Sequence, residues 1–189
     1  MTPDHYLDIH LLPDPEFPPG QLMNALFAKL HRALVQLGSD SIGVSFPKAR
    51  NGAAGLGDHL RLHGGSAALN DLMAQSWLSG MHDHVRLGEP APVPPDTQHC
   101  QVRRVQTDSN PERLRRRAMK RHGLSEEQAR ERIPDSAAKW LRLPYVQLRS
   151  QSTGQPFRLF IEQSAPQLEP HAGVFNAYGL SRDATVPWF

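Results

Sequence analysis

The chain has 189 residues, of which 39% are hydrophobic and 21% are charged, so a disordered chain is excluded. This length suffices for one domain or two small ones. No apolar run approaches the roughly 20 residues of a membrane helix, and the first residues lack the pattern of a secretory signal. The single cysteine, Cys100, excludes an internal disulfide and a cysteine-based zinc cage. We therefore expect a cytoplasmic protein.

The basic residues are concentrated in one segment. The whole chain carries a formal net charge of only +2. Residues 101–122 contain eight basic and two acidic side chains, so this segment is +6 and the rest of the chain is −4. A mildly acidic body with one concentrated basic segment indicates a polyanionic partner that is bound at one place.

Hydrophobic periodicity predicts a β-α-β-β-α-β order in the first half of the chain. The predicted elements are a strand over 5–12, a helix over 21–37 that ends at Gly38, strands over 41–46 and 59–63, a helix over 67–78, and a short strand over 84–87. This order is that of a ferredoxin-like (RRM-like) domain. The proline-rich stretch 88–96 is expected to be a stiff connector, and we place a domain boundary there, between residues 95 and 96.

The second half is predicted to combine short helices with strands, so that the chain as a whole is α+β with a C-terminal α/β part. An extended segment over 101–106 precedes a helix over 111–122, for which Asn110 is the cap, Pro111 the first residue and Gly123 the stop. Ser125 and Gln128 form a capping box for a second helix, which Pro134 stops. A third short helix is expected over 136–141, followed by strands over 145–149, 157–163, 174–180 and 185–189.

The helix over 111–122 is the most informative element. At 100° per residue, five cations fall within an arc of about 140°; they are Arg113, Arg116, Arg117, Lys120 and Arg121. A solvated helix face usually mixes both signs of charge, whereas here like charges lie one turn apart, which is unfavourable until an anion binds. The pattern favours nucleic-acid binding over a membrane surface, because the opposite face lacks large apolar residues.

Other residues offer chemistry, but position alone does not assign it. His31 lies at the edge of an apolar helix stripe, and Ser150 and Ser152 lie where a strand enters a turn. No Gly-x-Ser-x-Gly elbow surrounds either serine, which argues against a hydrolase triad. Tyr178 and Phe157 are each compatible with a core position. His59 with His63, and His82 with His84 on one strand face, suggest a metal site, although no third ligand is evident, and we expect no metal or cofactor.

Blocks of sequence distributed along the whole chain resemble one known family. They include Lys29-Leu-His31, Ile42-Gly-Val-Ser-Phe-Pro47, Ser109-Asn-Pro-Glu-Arg-Leu-Arg-Arg-Arg117, Leu148-Arg-Ser-Gln-Ser-Thr-Gly-Gln155, Tyr178-Gly-Leu-Ser181 and Val186-Pro-Trp-Phe189. In these blocks the chain resembles the CRISPR repeat-processing endoribonucleases of type I-F systems. The resemblance implies a ferredoxin-like N-terminal domain, an exposed arginine-rich helix and a hairpin RNA substrate.

The resemblance also implies a role for individual residues. It makes His31 the general base, lets Ser150 hold the nucleophilic 2′-hydroxyl, and lets Tyr178 orient the histidine. It implies that Arg104 and Gln106 read base edges at the foot of the stem. Phe157 would stack on the terminal base pair, with Ser152 and Thr153 near the cut. The residues implied to line the RNA major groove are Arg113, Arg116, Arg117, Lys120, Arg121 and His122.

The resemblance finally implies partners and products. Cleavage would proceed without metal and give a 2′,3′-cyclic phosphate and a 5′-hydroxyl. The enzyme, a monomer when free, would stay bound to the mature CRISPR RNA and join the other subunits of the surveillance complex. Two alternatives remain open: a catalytically silent hairpin-RNA-binding subunit, and a DNA binder that uses the basic helix in a major groove. The second is weakened by the absence of helix-turn-helix spacing around the basic helix.

Overall fold

The computed structural model describes residues 2–50, 55–106, 111–134, 142–150 and 153–189, without the side chains of Glu112 and Arg113. By their contacts, these residues form two compact units. The first, here called the sheet unit, comprises Met1–Val105 and Leu143–Phe189. The second, the helical unit, comprises Gln106–Arg142. The domain boundary between residues 95 and 96 stays a prediction.

The first sheet of the sheet unit is antiparallel. Its strands are β1 (His5–Leu11), β2 (Gly43–Ser45), β3 (His59–Gly64), β4 (Val85–Leu87) and β5 (Ala91–Pro92). The strand order is β2-β3-β1-β4, and β5 pairs with β1 beside this path. The helices of this half are α1 (Pro19–Leu37) and α2 (Ser66–Ala74). The predicted β-α-β-β-α-β order is therefore confirmed, with one additional short strand.

Helix α1 forms because an apolar stripe recurs at helical spacing between a proline start and a glycine stop. Proline is tolerated at the start of a helix, where its missing N–H has no intrahelical partner. Gly38 ends α1 with a positive φ of 65°, which a glycine adopts without strain. The buried residues of α1 are Leu22, Met23, Leu26, Phe27, Leu30, Ala33 and Leu34. These side chains belong to the main hydrophobic core, and they leave the other faces of α1 available for a site.

A second antiparallel sheet completes the sheet unit. It contains β6 (Gln98–Val105), β7 (Tyr145–Arg149), β8 (Pro156–Gln163) and β9 (Thr185–Trp188) in the order β7-β8-β6-β9. Strand β7 is thus an edge strand, and it pairs antiparallel with β8, which follows it in the chain. Helices combined with antiparallel sheets confirm the α+β class.

The helical unit contains α3 (Pro111–His122) and α4 (Glu126–Arg132). Gly123 follows α3 with a φ of 63°, as its predicted role as a stop requires. The capping box at the start of α4 is confirmed, because the Ser125 hydroxyl accepts from the Gln128 N–H while the Gln128 side chain accepts from the Ser125 N–H. Within this unit the Arg115 guanidinium donates to the Ile133 carbonyl at 2.8 Å. The predicted cap Asn110 and the predicted helix over 136–141 lie outside the described residues.

Three details of the sequence-based prediction were wrong. The stretch 174–180 is a turn, because the Asn176 side chain bonds the N–H of Tyr178 and Gly179 takes a φ of 69°. The connector 88–96 contains β5, since prolines are compatible with an edge strand. His82 and His84 do not share a strand face, because His82–His84 is a short 3₁₀ turn. Among the described residues, no helix has both the length and the apolar character that crossing a membrane requires.

Candidate active site

A groove of about 1030 Å³ opens in the sheet unit between α1 and the hairpin of β7 and β8. Six of the residues singled out in the sequence line it: His31, Arg104, Ser150, Thr153, Phe157 and Tyr178. These residues come from α1, β6, the β7–β8 hairpin and the turn around residue 178. The fold therefore brings together candidates that lie almost 150 positions apart in the sequence.

His31 is held by a backbone contact that determines its tautomer. Its Nδ1 lies 2.7 Å from the carbonyl oxygen of Ala177. A carbonyl oxygen can only accept a hydrogen bond, so Nδ1 carries the hydrogen. The neutral ring therefore has its free lone pair on Nε2. A half-buried histidine held in this way can take up a proton at a defined nitrogen.

Tyr178 is stacked on the His31 ring. The two rings are stacked, with centroids 4.0 Å apart and planes inclined by only 10°. The Tyr178 ring is also parallel to that of Phe27, one helical turn before His31, at 6.3 Å. Tyr178 is half-buried and packs against the hydrophobic core. The stacking shows Tyr178 in contact with His31 and with the core, and the predicted orientation of the histidine stays a prediction.

The turn that carries Tyr178 depends on Gly179. Besides its positive φ, Gly179 has no room for a side chain, because an added Cβ would lie 2.6 Å from Cγ1 of Val44. The Gly179 carbonyl accepts from the Val44 N–H at 3.0 Å, which joins the turn to β2. This docking sets the position of the Ala177 carbonyl, and so of the hydrogen bond to His31.

Ser150 lies at the mouth of the β7–β8 hairpin. Its backbone N–H donates to Gln155 at 3.0 Å, and its carbonyl accepts from Gly154 at 2.8 Å. Its hydroxyl oxygen accepts from the Thr153 N–H at 3.3 Å. A hydroxyl group can both donate and accept hydrogen bonds. The hairpin therefore positions a hydroxyl in the same groove as His31.

Asn24 connects the two walls of the groove. Its side-chain oxygen accepts from the Gln147 N–H on β7 at 2.8 Å. Asn24 lies on α1 seven positions before His31, and Gln147 lies three before Ser150. This bond therefore ties the helix of the histidine to the strand that leads to the serine. No recognisable spacing pattern in the sequence marks Asn24, or Arg32, which also lines the groove.

The remaining groove residues differ in their surroundings. Arg104 is exposed and lines the groove, whereas its neighbour Arg103 is paired with Glu162 at 2.6 Å across β6 and β8. Phe157 is half-buried, packs on the core and also lines the groove. Thr153 is exposed in the hairpin turn. A cation, a ring and a hydroxyl therefore face a space that also holds a possible base.

The helical unit carries the other candidates. On α3 the residues Arg116, Arg117, Lys120, Arg121 and His122 are exposed, and Arg117, Lys120 and Arg121 border one shallow depression. Within the described part of the chain, no carboxylate forms an ion pair with Arg117, Lys120 or Arg121. Leu114, Ala118 and Met119 are half-buried, as the predicted amphipathic pattern requires. Gln106 is exposed at the start of this unit, while Ser152 and the Arg113 side chain lie outside the described residues.

The histidine pairs that suggested a metal site have other neighbours. His59 bonds Asp8 at 2.7 Å, and the Ser45 hydroxyl bonds His63 Nε2 at 2.8 Å. Burial opposes ionisation of Asp8, but hydrogen bonds from His59 and Arg61 outweigh it and hold the pKa of Asp8 well below its usual range. The ligand atoms that could hold a cation in the described chain belong to Asp8, His10 and His59, which lie within 4.8 Å of one another. Asp8 is already engaged by Arg61, at 2.7 Å and 3.0 Å.

His63 is the most perturbed histidine of the described chain. Burial lowers its pKa to about 3, and the positive charge of Arg61 acts in the same direction. Its Nδ1 has no hydrogen-bond partner among the described residues. This histidine is therefore neutral near pH 7, and it sits in the core and not in the groove.

Comparison with known proteins gives consistent matches over nearly the whole chain. The family model described as CRISPR-associated protein (Cas_Csy4) matches residues 6–189. A CRISPR-associated endonuclease Cas6/Csy4 from Pseudomonas aeruginosa (strain UCBPP-PA14) is 59% identical over 186 residues, which are 98% of this chain and all of that protein. A CRISPR-associated endonuclease Cas6/Csy4 from Escherichia coli (strain UTI89 / UPEC) is 47% identical over the same shares of both chains.

Proposed function

Because the chain belongs to the Cas_Csy4 family of CRISPR-associated proteins and is an endoribonuclease, we propose that it cuts CRISPR repeat RNA at the base of a hairpin, in the groove beside α1. The observation that carries this proposal is the hydrogen bond from His31 Nδ1 to the Ala177 carbonyl. It leaves Nε2 as the proton acceptor of a histidine that shares its groove with the Ser150 hydroxyl.

The proposed reaction uses a nucleophile that RNA itself supplies. His31 Nε2 accepts the proton of the 2′-hydroxyl before the cut, and the Ser150 hydroxyl holds that oxygen in line with the phosphorus atom. The 2′-oxygen then bonds to phosphorus while the bond to the 5′-oxygen breaks. The products are a 2′,3′-cyclic phosphate and a 5′-oxygen that takes up a proton to become a hydroxyl. In this scheme the RNA supplies the oxygen nucleophile, so no metal ion is assigned to generate it.

Tyr178 acts in this scheme as a positioning residue. Its ring is stacked on His31 at 4.0 Å, and the contact supports a fixed ring plane and not a proton transfer. The hydrogen bond to Ala177 restrains the same ring within its plane. Together the two contacts leave His31 little freedom to rotate away from a bound ribose, which preserves the geometry that general-base catalysis needs.

Recognition is divided between shape and sequence in this proposal. The deep, narrow major groove of A-form RNA admits backbone contacts better than base reading, so the cations of α3 would bind phosphates of the stem. The proposed stem-binding residues of α3 are Arg113, Arg116, Arg117, Lys120, Arg121 and His122. Arg104 and Gln106 would read base edges at the foot of the stem, and Phe157 would stack on its last base pair. Ser152 and Thr153 would contact the RNA near the cut.

The finer structural predictions belong to the same proposal. The order β2-β3-β1-β4, with every pair antiparallel, supports a ferredoxin-like domain over residues 1–95. Residues 96–189 would then form the RNA-binding part. We further propose that the enzyme acts as a cytoplasmic monomer when free, keeps its product, and joins the other subunits of a type I-F surveillance complex.

The decisive experiment is cleavage of a labelled type I-F repeat hairpin in excess EDTA, with wild type beside His31→Ala. We expect a single cut at the foot of the stem in wild type. General-base catalysis contributes about 10² to 10⁴ in rate, so the variant should lose at least about 100-fold. A hairpin with one 2′-deoxyribose before the cut should bind with unchanged affinity and stay intact, because the nucleophile is missing.

The outcomes separate the parts of the proposal. Loss of cleavage in EDTA that returns with a divalent cation would overturn the metal-free mechanism. Tight binding of the repeat without any cut in wild type would overturn the assignment of the groove and favour a silent RNA-binding subunit. Preference for duplex DNA over the RNA hairpin in a competition gel would contradict the proposal that RNA is the substrate and would favour a DNA-binding protein.

A further inference from the structure

A second pocket lies next to the groove on helix α1. Its volume is about 430 Å³, within the range of small-ligand sites. The residues that line it are Lys29, Arg32, Ala33, Gln36, Gln75, Ser76 and Trp77. They come from α1 and from the segment that follows α2, and all belong to the sheet unit.

Helical geometry explains why the two cavities adjoin. At 100° per residue, Lys29, Ala33 and Gln36 share one stripe of α1, and His31 lies on a different stripe. Arg32 falls at the border between the stripes, and it lines both the groove and the second pocket. A strand of RNA that passes His31 would therefore meet Arg32 and then the second pocket.

The lining of the pocket suits an anion. Lys29 and Arg32 supply two positive charges, and Gln36, Gln75 and Ser76 supply neutral polar groups. Among the described lining residues, none is acidic. The Lys29 ammonium is held in place, because it donates to the Ser79 carbonyl at 2.7 Å. It keeps two further N–H donors for a bound group.

Trp77 is the aromatic residue of the pocket wall. The residue is only 8% exposed, and its indole Nε1–H is buried without a hydrogen-bond partner in the described part of the chain. Buried N–H groups nearly always have a partner, so this donor is a polar atom that the described residues leave unsatisfied in a residue of the pocket wall.

We propose that this pocket binds a phosphate of the single-stranded RNA that continues in the 3′ direction beyond the cut. The inference rests on the proposed function, because it takes the scissile phosphate to lie at His31. The pocket would hold the departing strand before cleavage, with Lys29 and Arg32 as its cations. The helix α3 would contribute nothing to this contact, since its cations bind the stem.

The test compares three hairpins that all carry a 2′-deoxyribose before the cut, so that binding is measured without cleavage. The first ends one nucleotide beyond the cut, the second has a few more nucleotides at its 3′ end, and the third has them at its 5′ end. Wild type should bind the 3′-extended hairpin about fivefold more tightly than the short one. The salt dependence should steepen by about 0.7 in log–log slope for each phosphate that the pocket neutralises.

Variants of the pocket should remove this advantage selectively. Lys29→Met should lose most of the preference for the 3′-extended hairpin, while Lys29→Arg keeps the charge and most of the gain. Gln36→Glu adds a negative charge without touching the Lys29–Ser79 bond, so it covers the case in which Lys29→Met folds poorly. Arg86→Gln on β4 is the matched control, because it removes an exposed cation that lines neither cavity.

Equal affinity of wild type for the short and 3′-extended hairpins would overturn the inference. A gain in affinity that survives in both Lys29→Met and Gln36→Glu would also overturn it, as would a gain in affinity confined to the 5′-extended hairpin. The proposed function is judged separately. Cleavage of the short all-ribose hairpin uses His31 and Ser150 but not the pocket, so it should proceed at the wild-type rate in these variants. Absence of that cleavage in wild type would indicate failure of the proposed function itself.

Discussion

In the candidate groove, the proposed base His31 is held by partners far away in the sequence, whereas the cations of α3 follow from one short segment. His31 contacts Ala177 and Tyr178, which lie almost 150 positions later. In α3, Arg117 and Lys120 are exposed on a helix whose boundaries are set by Pro111 and Gly123. The groove thus needs the complete sheet unit, while the basic surface needs only a helix.

This difference implies that catalysis and RNA binding respond to different kinds of change. Groove chemistry should be lost through small displacements that leave the charge of the protein unaltered. Binding by α3 should fall in steps with each lost cation, whatever the fine geometry, because exposed charges act over a distance set by salt. The four predictions below test this division.

The largest effect is expected from Tyr178. Tyr178→Ala removes the stacked ring and frees His31 to rotate, so the single-turnover cleavage rate should fall about 100-fold. Tyr178→Phe keeps the ring and should stay within about threefold of wild type. RNA affinity should be unchanged in both variants, and filter binding of the 2′-deoxy hairpin measures it. A large loss in Tyr178→Phe would instead show that the hydroxyl takes part in the chemistry.

The second prediction concerns the core of the sheet unit at acid pH. The folded-state pKa of His63 is about 3, below the ordinary value of 6.5, so the unfolded chain binds more protons between these values. Stability therefore falls as the pH drops below about 6.5, and at pH 5 this one group should have removed about 2 kcal/mol of the free energy of unfolding, about a 30-fold change in the folding equilibrium.

Urea unfolding of wild type and His63→Gln at pH 7 and pH 5 measures this effect. The variant starts from a lower stability, since it disturbs a buried contact with Ser45, but it should lose about 2 kcal/mol less than wild type between the two pH values. An equal loss in both proteins would show that His63 is not the group responsible.

The third prediction tests the additive character of α3. Arg117→Gln combined with Lys120→Gln removes two cations, which should weaken hairpin binding about 20-fold at physiological salt and flatten the log–log salt slope by about 1.8. The single-turnover rate at saturating protein should stay near that of wild type. The control is Arg130→Gln in the same unit, whose guanidinium is paired with Glu126 at 2.9 Å. An unchanged salt slope in the double variant would contradict phosphate binding by α3.

The parts of the molecule that could be predicted from the sequence are those that depend on local patterns. The cationic stripe of α3, the capping box at Ser125 and the stop at Gly123 are local patterns. The structure confirms the two helices that these patterns predict. The alternating and helical apolar patterns likewise predicted β1 and α1 to within about two residues, because each buries one face against the core.

The sequence could not supply the contacts that complete the site. A backbone carbonyl such as that of Ala177 is the same at every position, so no pattern marks it as the partner of His31. The apolar residues Val174, Phe175 and Leu180 favour a strand over 174–180, whereas the roles of Asn176 and Gly179 depend on the turn docking on Val44. Family resemblance supplied the residues of the groove, and tertiary structure supplies their geometry.

The smallest effect is expected at the start of α4, where the contrast between local and long-range structure can be tested directly. Ser125→Ala removes the hydroxyl that accepts from the Gln128 N–H at 3.2 Å, and loss of such a cap costs about 1 kcal/mol. Amide exchange at Ala129 should accelerate about fivefold, while Ser125→Asp should restore protection, because a carboxylate accepts the same bond. Cleavage at saturating protein should not change, because the groove belongs entirely to the sheet unit. A cleavage defect of the same size as the exchange effect would show that the helical unit is needed for the chemical step and not only for holding the stem.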